Sequence, residues 1–73
     1  MLRNLKAEMV REKVSVKDLA RLINRSERGA RDKILENYQF DVSEAFAIRD
    51  NFFPELKLEY LFQSDQDGEN PPA

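Results

Sequence analysis

Residues 15–37, SVKDLARLINRSERGARDKILEN, decide the fold. Ser15 followed three residues on by Asp18 is a capping-box signature, in which hydroxyl and carboxylate answer the free N–H groups that begin a helix. Val16, Leu19, Ala20 and Ile23 then recur at i, i+3, i+4, i+7, the apolar stripe of a helix of about two turns, with Lys17, Asp18, Arg21 and Leu22 on its other faces. Asn24 tolerates the left-handed backbone that closes a helix, and Ser26 is suited to cap the next one with Glu27 at its positive end. The spacing predicts that helix over 27–36, buried through Ala30 and Ile34, with Arg28, Arg31, Asp32 and Lys33 outward and Gly29 a mild weakness. The competing reading is one unbroken helix over 16–37, since Val16, Ala20, Ile23, Ala30 and Ile34 fall near one stripe. Glu27 interrupts that stripe, and cap and breaker chemistry favours the break.

Upstream, Leu2, Leu5 and Met9 recur at helical spacing among Arg3, Lys6, Glu8 and Arg11, which predicts a first amphipathic helix of about three turns. Downstream, Asp41 with Glu44 opens a fourth helix whose Val42, Ala45, Phe46, Ile48 and Phe52 are the expected core contribution. Pro54 ends it, because the residue before a proline resists helical geometry. A turn or two over 56–62 offers Leu58, Leu61 and Phe62 to close the core. From Gln63 to Ala73 the chain has nothing to bury before its last residue, so residues 63–73 are expected to form a disordered acidic tail. No stretch reads as a strand. The expectation is an all-α, four- to five-helix bundle over residues 1–62.

Seventy-three residues fit one compact domain at most. Cysteine and histidine are absent, which excludes disulfides, thiolate or imidazole metal sites and the usual nucleophile–base pairs. The two glycines make no phosphate-cradling loop, and carboxylate pairs such as Glu55 with Glu59 read as solvated helix surface. Neither an enzyme nor a cofactor is expected. No apolar run approaches the roughly 20 residues that span a bilayer, and the charged N-terminal pattern is not that of a signal peptide; a reducing cytoplasm suits the composition. The net charge of -2 is misleading, because Asp65, Asp67 and Glu69 lie in the tail. Residues 1–62 hold all 12 Lys and Arg against 11 acids, and the window 17–33 holds six of those cations against three acids.

The stretch 15–37 resembles the helix-turn-helix of phage repressors, Cro proteins and the xenobiotic-response-element type of bacterial regulators, a lambda-repressor-like fold. Leu19-Ala20 is similar to the family's Leu-Ala pair where the helices cross, Ile23 matches the next core position, Ser26 the cap of the recognition helix, and Ala30 and Ile34 its buried side. The continuation FDVSEAFAIRDNFFPELKLEYLF is similar to the ending of small prophage regulators, so the likeness covers residues 1–62. Two positions depart from the pattern: Asn24 stands where the family usually has Gly, and Arg25 where it has an apolar anchor. Arg25 must then reach solvent or phosphate.

The resemblance implies a sequence-specific, double-stranded DNA-binding transcriptional regulator whose third helix enters the major groove. Glu27, Arg28, Arg31 and Asp32 are the implied base contacts, arginine bridging guanine O6 and N7 and Glu27 accepting from cytosine N4. Lys17, Arg25, Ser26, Lys33, Asn37 and Tyr38 are the implied phosphate-backbone contacts. It also implies a homodimer, for which the closing region, through Phe53, Leu56, Tyr60 and Phe62, is the candidate interface. No membrane or small-molecule substrate is expected as a partner. The alternative is the same fold used as a protein–protein interaction module, an antirepressor or adaptor. Its motivation is that Glu27, Asp32 and Glu36 cancel Arg28, Arg31 and Lys33 along 27–37.

Overall fold

The computed structural model describes residues 1–64; the acidic part of the expected tail, residues 65–73, lies outside them. Five helices follow one another, α1 (Arg3–Arg11), α2 (Val16–Ile23), α3 (Glu27–Ile34), α4 (Val42–Phe52) and α5 (Leu58–Leu61), with no strand among the described residues. The break between α2 and α3 is real: three residues, 24–26, connect them, and the single-helix reading falls away.

Local chemistry explains most of the helix ends. At α2 the Ser15 hydroxyl accepts from the Asp18 N–H while the Asp18 carboxylate accepts from the Ser15 N–H, both at 3.0 Å. Ser26 accepts from the Gly29 N–H at 3.0 Å and starts α3. Three helices close through a left-handed residue, Lys13 (φ 58°), Asn24 (φ 59°) and Glu36 (φ 69°), none of them glycine. In each case the next N–H reaches back five residues, from Val14 to Met9, Arg25 to Ala20 and Asn37 to Asp32, at 2.8 to 2.9 Å. This pairing satisfies carbonyls that the last turn leaves free. The Glu36 closure is why α3 stops at Ile34 rather than at Glu36. Before Pro54, Phe53 leaves helical geometry at φ -137° and ends α4.

Leu5, Met9, Leu19, Ala20, Ile23, Ala30, Ile34, Ile48, Phe53 and Leu61 are buried together, with Leu2 sealing the rim. The N–H of Leu2 donates to the Ile34 carbonyl at 2.8 Å, tying the chain start to the end of α3. α2 packs on both α3 and α4, and α5 is gripped between α1 and α4. Two expectations for α4 need correction. Val42 is 71% exposed and Phe46 43% exposed, so neither serves the core; Glu44, Ala45 and Ile48 face inward instead. Residues 42 and 46 share one side of a helix and 44 and 48 the other, and the polar Glu44 is drawn inward by cations from α3 and the preceding turn. Phe53 is buried at 3% exposure, so it is unavailable to the expected dimer surface. Leu56 and Phe62 are half-buried against the core, Phe62 meeting Phe40 edge to face at 5.4 Å. No helix of the described residues is long and apolar enough to cross a membrane.

Candidate nucleic-acid interface

With Ala30 and Ile34 anchored in the core, the helical repeat turns Arg28 and Asp32 to the opposite side of α3 and Arg31 to its flank, while Glu27, beside the buried stripe, reaches solvent because it is the first residue of the helix. Glu27, Arg28 and Arg31 are exposed and Asp32 half-exposed. The four implied base contacts are therefore all accessible to solvent, along an arc that runs from Glu27 at the edge of the buried stripe to Asp32 on the outer side. The Asn37 amide approaches the Asp32 carboxylate at 3.4 Å, at the long limit of a hydrogen bond.

The implied backbone contacts divide. Lys17, Ser26, Asn37 and Tyr38 are exposed, Tyr38 at 66%, and Lys17 sits on the first turn of α2 beside its cap. Ser15 N–H, donating to Asp18 there, holds that carboxyl below the usual range, with the Ser15 hydroxyl next in importance. Lys33 is placed otherwise. Its side chain is only 11% exposed, its Nζ lies 2.6 Å from Glu44 Oε1, and the Phe40 ring centroid is 5.8 Å away. Arg25 is half-exposed; its Nε donates to Glu44 Oε2 at 3.1 Å and one terminal nitrogen lies 3.8 Å from Asp41. Thus the half-exposed Arg25 guanidinium is held by the buried Glu44 carboxylate.

Glu44 is the residue that the sequence reading missed in this role. It was legible as the capping partner of Asp41, whose N–H donates to Oε1 at 2.9 Å, but its bonds to Lys33 and Arg25 join three elements. Burial pushes this carboxyl up; the bonds from Lys33, the Asp41 N–H and Arg25 together outweigh it and hold the group below its ordinary value. The available signal was an acid on the inward stripe of α4 downstream of a basic window.

A cleft of about 420 Å³ between α4, α5 and the loop after α3 is walled by Phe40, Ala45, Leu58 and Phe62. Of the implied DNA contacts it includes only Lys33 and Tyr38, so it is separate from the α3 surface. No cluster of three or more carboxylates suited to a metal ion occurs among the described residues. Comparison with protein-family models, with curated proteins and with solved structures gives no match for this chain.

Proposed function

We propose that this protein is a sequence-specific double-stranded DNA-binding regulator of the phage repressor and Cro type, with α2 and α3 forming its helix-turn-helix and α3 entering the major groove. The observation that carries this reading is the outward surface of Arg28, Arg31 and Asp32, with Glu27 exposed at the first turn, on a helix anchored by Ala30 and Ile34. The Arg28 and Arg31 side chains make no hydrogen bond or ion pair with the described residues and are free to take guanine. Lys17 and the capped start of α2 set the register on phosphate. Two copies read half-sites about one helical turn, roughly 34 Å, apart.

Selection from random duplexes tests this reading. A recovered motif whose affinity falls steeply with salt supports it, and Arg31→Ala then relaxes preference at one base pair at a cost of about 1–3 kcal/mol. No enrichment at low salt overturns it and favours the protein-interaction module. That second reading draws on the same surface: with Arg25 and Lys33 engaged by Glu44, Arg28 and Arg31 face Glu27 and Asp32 without help.

A further inference from the structure

Of the six cations between residues 17 and 33, two converge on one carboxylate. Lys33 and Arg25 approach different oxygens of Glu44, at 2.6 and 3.1 Å, and the Asp41 N–H completes the set at 2.9 Å. Both Glu44 and Lys33 are close to fully covered, at 9% and 11% side-chain exposure, so solvent ions screen this pair poorly. A carboxylate ringed by three donors offers its cations much the same chemistry as a phosphate oxygen.

We propose that Glu44 is an internal counter-ion that withholds Arg25 and Lys33 from nucleic-acid phosphate, limiting sequence-independent binding so that the α3 surface decides between sequences. The proposal rests on the DNA-binding reading and adds a specificity determinant to it. Phosphate must displace a preorganised carboxylate to recruit either cation. Each cation that does reach phosphate adds about 0.9 to the slope of log affinity against log salt, roughly 3-fold in affinity for a fourfold change of salt. Withholding two therefore flattens the sequence-independent part of the salt response.

Elution from immobilised heparin, a polyanion without bases, tests the counter-ion role even if duplex binding fails. Glu44→Gln and Glu55→Gln each remove one negative charge, but only the first releases cations. The expected result is that Glu44→Gln elutes at clearly higher salt than Glu55→Gln; co-elution of the two folded variants overturns the proposal. If circular dichroism shows that Glu44→Gln does not fold, Lys33→Gln is compared with Lys17→Gln in the otherwise unchanged chain. Lys33→Gln is then expected to lower the elution salt less, and equal lowering overturns the proposal. On a random-sequence duplex, Glu44→Gln should steepen the salt slope by about 1.8, about 0.9 for each released cation. Loss of duplex binding by both proteins with the heparin difference intact would overturn the DNA reading alone.

Discussion

Lys13, Asn24 and Glu36 carry the same backbone twist with different side chains. Asn24 was legible because asparagine enters the left-handed region readily; Lys13 and Glu36 were not, because nothing in a lysine or glutamate marks a helix end. A left-handed non-glycine residue costs of the order of 1–2 kcal/mol, part of which glycine recovers. Lys13→Gly should accordingly stabilise the domain by about 0.5–1 kcal/mol in urea denaturation, net of the extra unfolded-state entropy; destabilisation would contradict this placement of Lys13. Glu44→Gln works in the other direction. It takes from Arg25 and Lys33 the carboxylate on which they converge, and the same denaturation should show a loss of about 1–3 kcal/mol.

At the scale of elements, the α2–α3 pair was readable because its signals are local: two caps, one tolerant turn residue and two apolar stripes within 23 residues. α4 was readable in extent but not in rotation. Its start at Asp41 and its end before Pro54 are local, whereas the inward turn of Glu44 depends on cations 11 and 19 residues upstream. Val42 and Phe46 therefore looked like core and are surface. The short turn of α5 likewise begins only at Leu58, after the Phe53 carbonyl accepts from the Leu56 N–H at 3.0 Å. Because the α2–α3 angle depends on where α3 starts, Ser26→Ala should cost about 1 kcal/mol of stability and Ser26→Gly only a few tenths. Equal melting temperatures for wild type and Ser26→Ala would show that the cap contributes nothing.

At the scale of the whole molecule, α1 and α5 are drawn together by polar contacts that periodicity does not reveal. The Tyr60 hydroxyl donates to the buried Glu8 carboxylate at 2.7 Å, and the Asn4 amide donates to the Tyr60 carbonyl at 2.8 Å. These bonds tie Tyr60 into the α1–α5 seam, although its ring stays partly exposed. They also shape the pH response. The bond to Glu8, followed by desolvation, raises the Tyr60 phenol above 10.0, so its stabilisation is complete below about pH 10 and is lost as pH rises through the folded value. Glu44 is held below 4.5, so its contribution is present above that pH and fades as pH falls through the lower folded value. Thermal midpoints should thus form a plateau between these limits. Tyr60→Phe should lower the plateau and remove its alkaline shoulder, while Glu44→Gln should weaken the acid limb and leave the part due to Asp18. A midpoint that keeps the same alkaline shoulder in Tyr60→Phe would contradict the Glu8–Tyr60 assignment.

The proposed contact between the outward surface of α3 and DNA can be read from amide chemical shifts during titration with a mixed-sequence duplex at low salt. Changes are expected to concentrate at Lys17, Ser26 to Asp32, Asn37 and Tyr38. Changes confined to the outer side of α4 around Val42 and Phe46, or no changes at all, would contradict it.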